Sequence, residues 1–223
     1  MHPLQVSKQE ILGDPVRKTV EAVHRGQSSS LDRLPEGKQM PRIPYKADHD
    51  LGPEEIVAPI RARRGGKLFN LDRILLHSPA FARGWNSFLG AVRNELSLSP
   101  KLRELAICGV AVLNGAEYEF RHHLPEFIKA GGTEAQAKVL QDFAAAADDA
   151  GLFDASEQAV IQLTLEMTRN VEVSDSTFSR VKAALPDEQD MVELVGVIAA
   201  YNMVSRFLVV LGVTPEEHLR DDG

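Results

Sequence analysis

The spacing of apolar residues predicts helices along most of the chain. After residue 50, apolar side chains recur every three to four positions, which is the period of a helix packed on one side. The most regular stretch runs from Ser99 to Gly132 and contains two predicted helices separated at Asn114-Gly115. Pro100 suits the first turn of a helix, and a glycine pair suits the end of one. We identify no strand pattern, so the predicted fold class is all-α.

Further helices are predicted on both sides of this pair. One is expected over residues 51–64, and two more over 68–77 and 79–92, separated by Ser78-Pro79. Capping boxes at Thr133–Gln136 and Asp154–Glu157 predict two helix starts, with the first helix reaching about residue 147. A short helix follows over 174–185, before Pro186. These elements favour a helical bundle.

The last predicted helix, over residues 188–211, is apolar on most sides. It carries Glu193, Asn202 and Arg206, which a membrane span would rarely tolerate. We therefore expect a helix buried in the fold or in a subunit interface.

Three ionisable residues fall among the apolar positions of the central pair. Glu104 interrupts the apolar stripe of the first helix, and a carboxylate there needs a partner or a shifted pKa. Glu119 and His123 are four residues apart on the second helix and therefore share a face. Two carboxylates beside an imidazole suggest general acid–base chemistry. A buried Glu–His pair that only fixes helix register remains the alternative.

This segment resembles the core motif of the alkylhydroperoxidase-D/carboxymuconolactone decarboxylase superfamily. In the peroxidase branch the motif is Glu-x11-Cys-x2-Cys-x3-His, whose ends fall on Glu104 and His123. Its two cysteine positions fall on Ala116 and Glu119, so both thiols are absent. The Glu-x3-His pair of the decarboxylase branch matches Glu119 and His123, and YEFRHH resembles the YEW-x-x-H string of members without the cysteines. The resemblance spans about residues 40–211.

The resemblance implies an alkylhydroperoxidase-D-like helical bundle and a decarboxylase or lyase that acts on a small carboxylated or carbonyl compound. His123 would give or take the proton, Glu119 would orient it or share the proton, and Glu104 would raise the basicity of the imidazole or hold a second proton. The expected substrate-binding residues are Trp85, Phe88, Tyr118 and Tyr201. For the aromatic residues of the 79–92 helix, core packing is the alternative.

Two neighbouring residues receive other interpretations. His122 is expected to be exposed and paired with Glu126, four residues further on. Arg121 is read as a surface residue, with the anchoring of a substrate carboxylate as the alternative. Adjacent histidines on a helix point about 100° apart, so no metal site is predicted. No cofactor is expected either.

Two other functions compete with the acid–base enzyme. A thiol peroxidase, as in the peroxidase branch of the superfamily, requires an attacking thiolate and a resolving thiol. Cys108 is the only cysteine and lies in an apolar stretch, so a buried structural thiol is expected and peroxidase activity is disfavoured. The third alternative is a non-catalytic oligomeric binding protein that keeps the fold.

Composition limits the partners of the protein. The net charge of −7 argues against a nucleic-acid surface, which requires a basic patch. No secretory signal is recognised, so a cytoplasmic protein without membrane contact is expected, with a small-molecule substrate as its partner. The apolar last helix and the resemblance predict a homo-oligomer: a dimer, trimer or hexamer.

The first part of the chain differs in character from the rest. Residues 1–39 include a linker-like run over 35–38, and Met40 offers an alternative start. We expect residues 1–39 to form a flexible N-terminal extension. Residues 40–223 would then form a single carboxymuconolactone decarboxylase-like all-α domain.

Overall fold

The computed structural model of the protein describes residues 41–146 and 151–219. These ranges contain no strand, which confirms the all-α prediction. The predicted N-terminal extension lies outside the described residues. Two short 3₁₀ turns occur at Leu140–Asp142 and Glu217–Leu219. The α-helices are α1 (Glu54–Arg63), α2 (Asn70–Leu75), α3 (Pro79–Asn94), α4 (Pro100–Leu113), α5 (Glu117–Lys129), α6 (Glu134–Val139), α7 (Phe143–Ala146), α8 (Ala155–Asn170), α9 (Asp175–Ala184) and α10 (Glu188–Leu211).

Helix α4 is the centre of the domain, because it packs against α5, α8 and α10. Every residue from Glu104 to Ala111 is buried, so the helix is enclosed on all sides. A helix that is surrounded in this way is apolar around its circumference, with few polar exceptions. The one charged side chain in this buried run, Glu104, therefore has to be satisfied by a neighbouring helix.

The predicted break between the two central helices is present. Asn114 ends α4, and Gly115 adopts a positive φ of 66°, which a residue with a side chain rarely does. The Ala116 N–H then donates to the Ala111 carbonyl at 2.8 Å and closes the turn. This reversal returns α5 along α4 and brings His123 beside Glu104, which lies about two turns before the end of α4.

The helix that begins at Thr133 is shorter than predicted. The capping box at Thr133–Gln136 is present, but α6 ends at Val139 and a 3₁₀ turn follows. Leu140, Phe143 and Ala146 are buried and lie three residues apart. Helix α7 then carries the helical segment to Ala146, close to the predicted end near residue 147.

Helix α10 is long and apolar enough to cross a membrane by length and composition, yet half of its most apolar 18-residue window is buried inside the protein. It packs against α3, α4 and α8, as expected for a buried core helix. Such a core helix passes the same test of length and hydropathy as a membrane span. The side of α10 away from the core exposes Val192, Met203, Val209 and Val210.

Replacement of Gly109 by alanine is expected to destabilise the protein by about 1–3 kcal/mol, the usual cost of overfilling a packed core. A Cβ at this position would clash with the ring of Phe143, which is itself buried. Gly84 of α3 is the matched control, because a Cβ there meets no atom within 4 Å. Gly84→Ala should raise stability by about 0.5–1 kcal/mol. Urea unfolding measures both, and equal effects would contradict this packing.

Candidate active site

The predicted acid–base residues come together around the imidazole of His123 on α5. Its Nδ1 lies 2.6 Å from Glu104 Oε2 on α4. Its Nε2 lies 3.3 Å from Glu119 Oε1, one turn earlier on α5. Both glutamates are buried, and the His123 side chain is 12% exposed. The trio therefore forms one cluster between two helices, with both ring nitrogens facing carboxylates.

A fourth group, Tyr201 of α10, completes the surroundings of the imidazole. Its hydroxyl lies 3.3 Å from His123 Nε2, and the two rings meet edge to face with centroids 5.1 Å apart. The Arg93 Nε–H donates to the same hydroxyl at 2.8 Å. Arg93, from the end of α3, was not singled out in the sequence. It lies outside the motif, and no spacing along the chain connects α3 with α10.

The contacts of His123 shift the pKa values of the acid–base pair in opposite directions. Burial alone would lower the pKa of His123, but the hydrogen bonds to Glu104 and Glu119 outweigh it and raise that pKa above 6.5. Burial would raise the pKa of Glu104, but the bonds from His123 and Arg103 lower it below 4.5. Both shifts favour the state in which an imidazolium is paired with a carboxylate.

His123 and both glutamates line a cavity of about 460 Å³. This volume lies in the range of small-molecule sites. A histidine that only fixed helix register would be packed without adjoining space, so the void favours a role for the cluster in binding or chemistry. The other lining residues are Arg64, Phe69, Leu71, Arg93, Asn94, Arg103, Tyr118, Arg121, His122, Pro125, Glu126 and Leu219.

The four residues expected to bind substrate occupy different places. Tyr118 lines the cavity, and Tyr201 is fully buried against His123. Trp85 and Phe88 do not line it. Trp85 packs against Phe207 of α10, with ring centroids 5.0 Å apart, and the side chain of Phe88 is 49% exposed. The structure therefore does not bring Trp85 and Phe88 to His123, because Trp85 faces α10 and Phe88 is turned towards solvent.

The structure corrects the interpretation of His122. Its side chain is half-buried, and its Nε2 lies 2.9 Å from Glu216 Oε2 rather than beside Glu126. Its Nδ1 contacts the Tyr118 carbonyl at 2.8 Å, and its ring stacks on the Tyr118 ring. Glu216 is 94 positions from His122, so no local pattern could indicate this pairing. Leu219, three residues after Glu216, lines the cavity.

Arg121 also contacts that C-terminal segment. Its Nε donates to Glu117 at 2.8 Å, and its Nη1 donates to the Leu219 carbonyl at 2.7 Å. A second cavity of about 580 Å³, with a mostly apolar lining, lies on the other side of Arg121. The two cavities share Arg121, Pro125 and Leu219, but His123 lines only the first. Glu104, Glu119 and His123 therefore line only the smaller cavity.

Cys108 is fully buried on α4, as expected for a structural thiol. Burial and the nearby carboxylates of Glu104 and Glu119 raise its pKa well above its usual value. A thiol must ionise and be accessible to attack a peroxide. Cys108 meets neither condition. Among the described residues, no group of three or more His, Cys, Asp or Glu side chains could hold a metal ion.

Part of the chain matches a known protein family. The sequence profile of the carboxymuconolactone decarboxylase family matches residues 79–161, which include α3, α4, α5 and most of the cavity wall. No curated protein matches the chain.

Three solved structures share the fold at low sequence identity. A peroxidase-related protein from Silicibacter sp. TM1040 has a TM-score of 0.68 at 16% identity, over 83% of this chain and 98% of that one. A peroxidase-related protein from Ralstonia eutropha JMP134, described as an alkylhydroperoxidase AhpD core, has a TM-score of 0.70 at 16% identity, over 82% and 96%. The debrominase Bmp8, as its C82A form with 2,3,4-tribromopyrrole, has a TM-score of 0.66 at 13% identity, over 83% and 95%.

Proposed function

We propose that the protein is an acid–base decarboxylase acting on a small carboxylated compound, in keeping with the match of residues 79–161 to the carboxymuconolactone decarboxylase family. The observation that carries the proposal is the His123 imidazole, which lies between Glu104 and Glu119 on the wall of a 460 Å³ cavity. A general acid needs a proton to give and space for the acceptor, and this site provides both. The substrate class is a carboxylated lactone or a related carbonyl compound.

In the proposed reaction the bond between the substrate carbon and its carboxylate breaks, and carbon dioxide leaves. The electron pair stays on the carbon and is delocalised into the neighbouring carbonyl as a dienolate. The Nε2–H of His123 then donates its proton to that carbon. Nε2 is proposed as the reactive nitrogen because its contacts with Glu119 and Tyr201, both at 3.3 Å, are longer than the 2.6 Å contact of Nδ1 with Glu104.

The two carboxylates support different stages of this cycle. Glu104 stabilises the imidazolium before proton transfer, since an adjacent negative charge favours the charged ring. Once the ring has given up its proton it must regain one from water. Glu119 Oε1, at 3.3 Å from Nε2, is placed to pass that proton on. Tyr201 fixes the ring plane through its contact with the same nitrogen.

A thiol peroxidase is a poorer match to the site. The two cysteine positions of the peroxidase motif hold Ala116 and Glu119, and Cys108 is buried with a raised pKa. A redox cycle that forms and reduces a disulfide needs a second thiol, which one chain of this protein does not contain. Acid–base chemistry requires only groups that are present.

The proposal is tested by incubating the protein with a set of small γ-carboxylactones and 3-oxo acids between pH 6 and 8, and measuring carbon dioxide release. At least one compound should lose carbon dioxide faster than in buffer, with one molecule of decarboxylated product formed for each carbon dioxide. Peroxide consumption supported by a thiol reductant, without carbon dioxide release from any compound, would contradict the proposal.

A further inference from the structure

The guanidinium of Arg93 has unused hydrogen-bonding capacity inside the cavity. Its Nε donates to Tyr201 Oη at 2.8 Å. Its Nη1 is buried and has no hydrogen-bond partner in the described part of the chain. A buried donor left unsatisfied costs about 1–3 kcal/mol, and more when the group is charged. Such a group on a cavity wall points to a partner that the polypeptide does not supply.

The other arginines of the cavity differ from Arg93 in this respect. Each of them has a carboxylate of this chain within ion-pair distance, whereas no such pair of Arg93 occurs among residues 41–146 and 151–219. Tyr201, its nearest polar neighbour, stays neutral because burial raises the pKa of its hydroxyl. The three existing pairs are Arg64 with Asp72 at 3.2 Å, Arg103 with Glu104 at 3.1 Å, and Arg121 with Glu117 at 2.8 Å.

An acceptor on the same cavity is also unsatisfied. Glu119 Oε1 faces His123, but Glu119 Oε2 is buried without a hydrogen-bond partner in the described residues. Arg93 and Glu119 therefore present one buried donor and one buried acceptor to the same 460 Å³ space. A ligand with an anionic group and a hydrogen-bond donor would satisfy both the unpaired donor of Arg93 and the unpaired acceptor of Glu119.

We propose that Arg93 is the residue that binds a carboxylate group of the ligand in this cavity. The inference deepens the proposed function, and rests on it for the identity of the site. A planar carboxylate matches the guanidinium fork with two parallel hydrogen bonds. A guanidinium that forms no close ion pair among the described residues can accommodate one further negative charge. Through Tyr201, whose hydroxyl contacts both Arg93 and His123, the anchored group is oriented relative to the reactive nitrogen.

The electrostatics of the site keep Arg93 charged. Burial acts to lower the pKa of Arg93, but Tyr201 and Glu119 act to raise it, and the net direction is upward. Since arginine remains protonated at all ordinary pH values, carboxylate binding at this residue should not depend on its titration. Glutamine at this position removes the charge, whereas lysine keeps the charge and removes the planar fork.

The test uses two unreactive ligands of equal shape, benzoate and benzamide, with dissociation constants measured by titration calorimetry. The wild-type protein should bind benzoate about 10–100-fold more tightly than benzamide, as expected for one charge-assisted hydrogen-bonded contact. Arg93→Gln should abolish this preference, and Arg93→Lys should retain part of it. Arg83→Gln is the matched control, since it removes the same charge from an exposed position of α3 and should keep the full preference.

Equal affinity for the two ligands, no benzoate binding at millimolar concentration, or an unchanged preference in Arg93→Gln would each overturn the proposal. If Arg93→Gln does not fold, as judged by thermal melting, the wild-type preference and its reduction in Arg93→Lys decide the question. No step of this test requires turnover. If the protein prefers benzoate to benzamide but releases no carbon dioxide from any compound, the proposed reaction is wrong and the Arg93 assignment stands. If it releases carbon dioxide but shows no preference for benzoate, the Arg93 assignment is wrong and the proposed reaction stands.

Discussion

Replacement of His123 by glutamine is expected to lower the rate of carbon dioxide release by about 10²–10⁴-fold, the usual contribution of one general acid. Glutamine preserves an amide that can contact Glu104, but it carries no transferable proton near neutral pH. The pKa of His123 is raised in the folded protein, so wild-type turnover should persist above pH 6.5 and fall only as the pH passes that raised value. Steady-state rates across pH 5–9 measure both effects.

The control for this variant removes an imidazole elsewhere. His49 is an exposed residue of a turn near the beginning of the described chain, and it does not line the cavity. His49→Gln should keep turnover within about two-fold of wild type, as is usual for surface substitutions. If His123→Gln retained the wild-type rate, the imidazole would be a structural group and the acid–base mechanism would be wrong.

Replacement of Glu104 by glutamine is expected to lower the free energy of unfolding by about 3–5 kcal/mol, because it removes the shorter of the two carboxylate contacts of the buried His123 ring and the ion-pair partner of Arg103. Glu104 is buried on α4 and contacts His123 Nδ1 at 2.6 Å. Urea unfolding at pH 5.5 measures the loss. The double variant Glu104→Gln/His123→Gln should lose less than the sum of the two single losses, since the two side chains form one interaction.

The pH dependence of this loss follows from the two shifted pKa values. The raised pKa of His123 gives stability that is fully present below 6.5 and is lost as pH rises through the folded value. The lowered pKa of Glu104 gives stability that is present above 4.5 and is lost as pH falls through the folded value. The difference between wild type and Glu104→Gln should therefore be largest between pH 4.5 and 6.5.

An exposed ion pair on the neighbouring helix provides the control. Glu126 and Lys129 lie 3.4 Å apart on α5, with side chains 54% and 77% exposed. Exposed pairs contribute about 0–1 kcal/mol, so Glu126→Gln should change stability little at any pH. Similar losses in Glu104→Gln and Glu126→Gln would mean that burial does not strengthen the Glu104–His123 contact.

Much of the fold could be predicted from local sequence because its signals act over one or two helical turns. The break at Asn114-Gly115 and the capping boxes at Thr133 and Asp154 depend on neighbouring residues only. The same holds for the pairing of Glu119 with His123, since residues four apart share a helix face. The contact between Glu104 and His123 could not be predicted from one helix alone. It was indicated by the Glu-x11-Cys-x2-Cys-x3-His motif, whose two ends fall on these residues.

What the sequence by itself determined was the helical period, the helix boundaries at glycine and capping residues, and the grouping of Glu104, Glu119 and His123. What only the tertiary structure decided was which distant side chains surround that trio. Arg93 and Tyr201 are 108 positions apart and contact each other because α3 and α10 pack on the same core. Tyr201 also contacts His123, and His122 pairs with Glu216. Such contacts depend on how helices pack on one another, and the period of a single helix does not encode that arrangement.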